Sequence, residues 1–427
     1  MTGKSTPGEA RFLDPKEGMP RDERDAHKEH LLGPVIKRAF DKSPVMRAKL
    51  DRAGIKRSQT IKLDDLQRIA VTPKEDIRLL QRDNPPFGNL VTVPIDKLAR
   101  IFVSPGPIYD VERRNRYVGE ARAFYAHGFR AGDVVVNSFS YHMTRGGWSM
   151  DEGLRTLGCV VIAAGTGNTD LQVQVMHDLK VSGFSGTPSF FMTVIKKAEA
   201  MGYNFRRDFV VKNAFLSAEP FPPSMRRVFE EEYGVNTGES YGTAELGLLG
   251  YGCPHKSGMH VPEEIIAEIV DPRTGKTLPA GEVGEVVMTS LDKVVPMIRI
   301  GTGDLSSLTD EPCPCGRTSP RFVRIAGRVG DVVKVRGMFI QPKEVTELVG
   351  SLPEISNYQM LVCRNGHRDE LTFKLELSAD VGECPGLFDK LETKFQDVCR
   401  LRIDKIERVP AGTIKDGKKL MDTRKWD

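Results

Sequence analysis

SYGTAELG, Ser240 to Gly247, and RIGTGDL, Arg299 to Leu305, are the two stretches on which the reading of this chain turns. Each sets a carboxylate just past a glycine turn: Glu245 follows Tyr241-Gly242, and Asp304 follows Gly303. Glycine lets the backbone turn sharply and approach a ligand closely. A carboxylate at such a turn can hold a metal ion or a pair of sugar hydroxyls. Each also has a plainer reading: Glu245 as an acidic residue at the start of a helix beginning at Ala244, Asp304 as a turn residue. GRVGDVVKVRG, Gly327 to Gly337, comes next, and a lysine-rich end comes last. In that order the motifs point to an enzyme that activates its substrate with a nucleotide.

Upstream of Ser240 the chain alternates. DVVVN (Asp133 to Asn137), CVVIAA (Cys159 to Ala164), VSGFSG and VVKNAFLSAEP read as short buried strands. Between and around them Val111 to Phe129, Asp170 to Leu179, Ser189 to Met201 and Pro222 to Glu232 read as helices. Strands alternating with helices imply βαβ units and a parallel sheet. Ligands of such sheets bind at the carboxyl ends of the strands, where these glycine turns lie. Leu31 to about Leu80 is helical in pattern, NPPFGN (Asn84 to Asn89) is a loop, and residues 1 to about 30 read as a loosely packed arm.

Downstream of His260 the pattern changes to short strands with turns between them: IIAEIVD, GEVVMTS and VPMIRIG. From about Gly327 a compact α+β tail of ~100 residues follows. The expected fold is therefore α/β. It has a large N-terminal domain (31–327) with mixed or parallel sheets and a β-rich subdomain, then a small α+β C-terminal domain (328–427).

The 427 residues suffice for two domains, and 39% hydrophobic content is ordinary for a soluble protein. A net charge of +4 gives no argument for a nucleic-acid partner. No apolar run approaches the ~20 residues of a membrane span, and the first thirty residues lack the apolar core of a signal peptide. A cytoplasmic protein is expected, and no signal for an oligomeric state is readable. Of the seven cysteines, Cys159, Cys363, Cys384 and Cys399 are scattered. Cys253-Pro-His255 and Cys313-Pro-Cys315-Gly form two close pairs instead. Cys₃His is a normal structural zinc set with no open position. Cys253, His255, Cys313 and Cys315 are the expected ligands, with His260 as the alternative fourth.

Taken together the motifs resemble the adenylate-forming superfamily of acyl-CoA synthetases, and within it the phenylacetate-CoA ligase branch. The likeness runs from about Leu31 to the C-terminus. It includes NPPFG, GNTDLQVQ (Gly167 to Gln174), SGTPSFF (Ser185 to Phe191), SAEP (Ser217 to Pro220), DPRTGKTLPAGEVGEVV and CPCGRTSPR. The resemblance implies a small mobile C-terminal domain and two half-reactions. ATP and a carboxylic acid, foremost an aromatic one, give an acyl-adenylate and pyrophosphate; the thiol of coenzyme A then displaces AMP. It also assigns residues. Glu245 binds Mg²⁺ and Thr243 lies near the α-phosphate, beside Gly242. Ala218, Glu219 and Pro220 flank adenine, on which Tyr241 stacks. Asp304 accepts the ribose hydroxyls, and Arg328 lies near ribose and phosphate. In KDGKKLMD (Lys415 to Asp422), alignment on Gly417 makes Lys418 the adenylation lysine, with Lys419 and Lys415 as alternatives. Tyr141, His142, Trp148 and Phe190 are candidate walls of the acyl pocket.

Two departures from the family pattern stand out. Relatives carry an SSGTTGKP-type loop that grips the β- and γ-phosphates through backbone N–H groups. Here the region reads RIFVSPGPIYDVE (Arg100 to Glu112), and Pro105 and Pro107 each remove an N–H. At the hinge, GRVGD sets Gly330 where the family has aspartate. An active ligase is the first expectation. The alternatives are a degenerate homologue that binds AMP or acyl-CoA without activating a substrate, and an adenylating enzyme with an amine or alcohol acceptor.

Overall fold

The computed structural model describes residues 11–104, 108–113, 117–329, 333–336, 338–340, 342–378, 384–415 and 418–424. Pro105 to Pro107 of the SPGP stretch, Gly330 of the hinge motif and Gly417 lie outside the described residues. The chain divides into two compact units: Met1–Phe221 with Met225–Gly327, and Pro222–Ser224 with Arg328–Asp427.

The first unit opens with helices α1 (Arg21–Lys42) and α2 (Pro44–Arg52), the short strand β1 (Thr72–Pro73) and α3 (Lys74–Asp83). A hairpin of β2 (Leu98–Ser104) and β3 (Ile108–Arg113) follows, with Val103 paired to Tyr109 across it. The helix read over Val111 to Phe129 is therefore shorter than expected: β3 occupies its start, and α4 runs only over Val118–Ala126. Cross-strand pairing with β2 decides the conformation of those residues, which sequence periodicity alone does not reveal.

The alternating segment then runs β4 (Val134–Asn137), α5 (Arg145–Leu157), β5 (Val160–Ala163), α6 (Thr169–Asp178), β6 (Gly183–Gly186), α7 (Pro188–Ala200), α8 (Phe205–Asp208), β7 (Asn213–Leu216), α9 (Pro223–Arg227) and β8 (Asn236–Thr243). Helix α7 shows why. Thr187 caps it by accepting from the Phe190 N–H, and Pro188 takes the first turn, where no N–H is needed. Phe191, Val194, Ile195 and Ala198 then fall on one buried face. Strands β5-β4-β6-β7-β8 lie parallel in that order.

After β8 the sheet turns antiparallel through β9 (Gly247–Tyr251), β10 (Met259–His260), β11 (Ile265–Val270), β12 (Gly284–Ser290), β13 (Ile300–Thr309) and β14 (Arg321–Arg328). The whole is one 12-stranded mixed sheet in which the path β8-β9-β10-β14-β13-β12-β11 continues the parallel half. Sequence and structure agree on this mixed α/β architecture.

Residues 11–30 do not form a loose arm. Glu17, Arg24 and Lys28 are buried, and the Arg24 guanidinium pairs with Glu263 at 3.1 Å. Charged composition misleads here because each buried charge meets an opposite charge or carbonyl on the β-rich part of the unit.

The second unit contains the hairpin β15 (Val333–Val335) and β16 (Met338–Ile340), then α10 (Pro342–Gly350), β17 (Ile355–Asn365), β18 (Arg368–Leu377), α11 (Leu387–Cys399), β19 (Lys405–Arg408) and β20 (Leu420–Asp422). Its four-stranded sheet, β19-β18-β17-β20, packs Met360, Val362, Phe373 and Leu375 against Leu391 and Phe395 of α11. Among the described residues no helix is long and apolar enough to cross a membrane.

Candidate active site and metal knuckle

Glu245 sits in the tight turn joining β8 to β9, so the helix at Ala244 does not form. Gly242 is required there: a Cβ on it would meet the Gly247 carbonyl oxygen at 2.6 Å. Thr243 Oγ1 accepts from the Leu246 N–H at 3.3 Å and closes the turn. The Glu245 carboxylate is 3 % exposed and faces the Lys74 ammonium at 3.0 Å. Lys74 opens α3 and belongs to no motif, so sequence reasoning passed it over.

Asp110 of β3 is also buried, and its Oδ2 has no hydrogen-bond partner among the described residues. Burial first, and the nearby Glu245 charge second, push its carboxyl up to about 7. Arg145, at the start of α5, donates to the Val111 carbonyl at 2.7 Å. A carboxylate pair, a lysine and an arginine thus surround the turn.

Asp304 lies on β13, 7 % exposed. Tyr241 on β8 donates its hydroxyl to Asp304 Oδ2 at 2.7 Å, and lies 3.1 Å from Thr302 Oγ1. Strands β9, β10 and β14 lie between β8 and β13 in the hydrogen-bond order. At the usual strand spacing those four steps amount to roughly 19 Å in a flat sheet. The direct bond exists because the sheet curls around a core of Tyr241, Leu249, Ile269, Val286 and Phe322. The Tyr241 ring, 9 % exposed, meets Phe322 edge-on with centroids 5.7 Å apart.

Ala218 follows β7 with φ of +73°, a backbone conformation that L residues rarely take. Glu219 accepts from the Ser189 N–H and so caps α7. Pro220 is exposed. Ser217 Oγ donates to the Ser240 carbonyl at 2.8 Å, tying SAEP to the strand that carries Tyr241.

Of the four residues read as acyl-pocket walls, the structure brings two into contact. Tyr141 and Trp148 meet edge to face at 5.3 Å, and the Trp148 indole N–H donates to the Tyr141 carbonyl. The Tyr141 hydroxyl is already engaged by Asp151 at 2.9 Å and Asn137 at 2.7 Å. His142 is exposed, and Phe190 packs with the separate core under α7.

In the second unit Lys418 is exposed and its carbonyl accepts from Gln359 at 3.2 Å; Lys415 is exposed too. Lys419 is committed within its own unit, donating to Asn357 Oδ1 at 2.7 Å. Arg328 is the last residue of β14.

The cysteine pairs meet. Cys253, Cys313, Cys315 and His260 place their ligand atoms within 4.8 Å of one another. Cys253 and Cys313 sulfurs are 3.6 Å apart, and Cys315 Sγ is 3.4 Å from His260 Nε2. Bonds of ~2.3 Å to sulfur and ~2.05 Å to nitrogen at tetrahedral angles imply separations of ~3.8 and ~3.5 Å. The donor set therefore fits a tetrahedral ion. His260, not His255, is the fourth member of the cluster. His260 lies on β10, paired with both β9 and β14, and is fully buried. His255 sits in the exposed turn after Cys253 and is not in the cluster. His260 Nδ1 lies 3.3 Å from the Ser319 carbonyl, which orients the ring. The short apolar run GMHVP, which reads as a buried strand, was the available signal.

Comparison with known proteins accords with this geometry. Residues 115–292 match the family model described as AMP-binding enzyme. The phenylacetate-coenzyme A ligase of Thermus thermophilus is 34% identical over 85% of this chain and 83% of its own length. That of Aromatoleum evansii is 32% identical over 96% of this chain and 97% of its own. A solved complex of 2-hydroxyisobutyryl-CoA ligase with 2-HIB-AMP and CoA superposes with a TM-score of 0.91 at 28% identity, covering 99% of this chain and 94% of that one. With 34% identity across most of its length, the chain belongs to the phenylacetate-CoA ligase branch of the adenylate-forming enzymes.

Proposed function

We propose that the protein activates a carboxylic acid, foremost an aromatic one, with ATP and transfers the acyl group to coenzyme A. A carboxylate oxygen of the acid attacks the α-phosphorus of ATP, pyrophosphate leaves, and an acyl-adenylate forms. The coenzyme A thiolate then attacks the acyl carbonyl and AMP leaves. The observation that carries this reading is the convergence of Asp304 and Tyr241 from strands far apart in the sheet, beside the Glu245 turn.

In this reading Asp304, oriented by the Tyr241 hydroxyl, accepts the ribose hydroxyls. The strained Ala218 turn, with Glu219 and Pro220, borders adenine. Thr243 and Gly242 present the β8–β9 turn to the α-phosphate. Glu245 fits a divalent cation: its buried carboxylate already faces a cation, the Lys74 ammonium. Mg²⁺ held there would neutralise phosphate charge. Lys418 supplies positive charge where α-phosphate charge develops. The unit 328–427 is the small mobile domain that carries it.

We further propose that Cys253, His260, Cys313 and Cys315 bind a structural zinc ion, since four protein ligands leave no position for substrate.

The test is a panel of aromatic and aliphatic acids with ATP, Mg²⁺ and coenzyme A, reading AMP and pyrophosphate release. Turnover of aromatic acids at the highest kcat/KM is expected. AMP binding without turnover of any acid would overturn the ligase reading.

A further inference from the structure

The loop Cys313–Ser319 has two sides. One carries the sulfurs of Cys313 and Cys315 and the Ser319 carbonyl beside His260. The other is covered by residues 11–24. Arg11 Nε donates to the Cys315 carbonyl at 2.9 Å, and Arg11 Nη2 to the Pro314 carbonyl at 3.2 Å. The Thr318 N–H donates to the Glu17 carbonyl at 3.1 Å, and its hydroxyl bonds both the Met19 carbonyl and Arg24. Gly316, with φ of +82°, lies directly under the Arg11 guanidinium, in space that a Cβ would fill.

The centre of this contact is Glu17. One carboxylate oxygen closes a capping box with Asp14 at the start of a short helical turn, Pro15–Gly18. The other accepts from Arg317 Nε at 2.6 Å and lies 3.3 Å from the Tyr251 hydroxyl. Both charged side chains are almost fully covered, 1 % exposed for Glu17 and 3 % for Arg317. A buried ion pair tolerates little displacement, because breaking it leaves an unpaired charge out of water. The loop backbone that places Arg317 is shaped by the sulfurs on its other side: the Arg317 N–H itself points at Cys315 Sγ, 3.4 Å away.

We propose that the metal knuckle and the N-terminal segment Arg11–Pro20 form one cooperative unit, in which a bound zinc ion keeps the segment docked and the docked segment slows loss of the ion. This rests on the zinc reading above. Without the ion, the clustered sulfurs lose the charge that holds them together, the loop shifts, and the Glu17–Arg317 pair opens. The segment then detaches, since most of its described anchors lie on that loop; the pair of Asp14 with Arg122 of α4, at 3.6 Å, is an anchor outside it. Linkage makes the coupling reciprocal.

The test uses the full chain, loaded with zinc and then stripped by a chelator, with metal content verified by elemental analysis. Amide hydrogen exchange of peptides covering residues 11–20 should rise by about tenfold or more on stripping and return on zinc addition. Peptides from α7 serve as the unaffected control. In a second arm, E17Q should release zinc to a chromogenic chelator about tenfold faster than the parent chain. If E17Q does not fold, Arg11→Ala, which removes only exposed anchors, takes its place with the same expectation. Unchanged exchange in 11–20 after verified zinc loss, or parent-like release from the variant, overturns the coupling and leaves the metal reading standing. A chain that takes up no zinc removes both.

Discussion

Replacing Tyr241 by phenylalanine removes one oxygen atom and should weaken AMP binding, although the hydroxyl is assigned no contact with the nucleotide. The hydroxyl donates to Asp304 Oδ2 at 2.7 Å, with both residues buried. A hydrogen bond to a charged group contributes about 1.5–3 kcal/mol. Its loss removes that donor from Oδ2 and frees the carboxylate to rotate. If up to about a fifth of the ribose grip depends on that orientation, the effect stays below about threefold. If most does, about 1.4–2.8 kcal/mol is lost, which is tenfold to a hundredfold in Kd. The Tyr241 hydroxyl meets Asp304 across the curled sheet with both side chains buried, so the larger effect is expected. The assay is calorimetric titration of AMP into the parent, Tyr241→Phe, Asp304→Asn and the double variant, with Tm recorded for each. The cycle should show a coupling of about 1.5 kcal/mol or more. Parent-like AMP affinity in Tyr241→Phe, with Asp304→Asn still impaired, would refute the reasoning that Tyr241 positions Asp304.

Three further outcomes are expected. His260→Ala should abolish stoichiometric zinc in elemental analysis and lower Tm, whereas His255→Ala should retain both; the reverse pattern would return the fourth ligand to the turn. Lys418→Ala should cripple acyl-adenylate formation, followed by pyrophosphate release, while thioester formation from supplied acyl-adenylate stays within about threefold of the parent; equal loss in both half-reactions would remove the assigned role. His127 is fully buried, and that burial, with the charges of Arg317, Arg226 and Lys256 added, holds its imidazole down to about 3. Its folded pKa lies below the unfolded value, so its contribution is present above pH 6.5 and lost as pH falls through 6.5 towards 3. Chemical denaturation should show on the order of 1.4 kcal/mol lost per pH unit below 6.5. A His127→Gln variant that keeps the same slope would assign it to other groups.

Short-range chemistry carried much of this protein in its sequence alone. Alternating apolar runs and helical faces, bounded by glycine turns, set out the βαβ order from β4 to β8, because strand and helix periods are local properties. Glu245 and Asp304 were legible for the same reason: each acid and its glycine are neighbours in the chain, although Asp304 lies within β13 and only Glu245 sits in a turn. The cysteine pairs were legible as pairs. What the tertiary structure decided is everything that joins distant segments. In sequence His255, two residues from Cys253, is the first choice and His260 the alternative; the pairing of β10 with β9 and β14 turns His260 inward and leaves His255 exposed. Tyr241 reads as a ring to stack on a base, yet the curl of the sheet sends its hydroxyl to Asp304. Lys74 has no motif around it, and becomes visible only as the cation facing Glu245. The polar N-terminal stretch reads as an arm because composition records charge and not partners. Its burial depends on Glu263 and Arg317, some 240 to 300 residues away in sequence but adjacent in space.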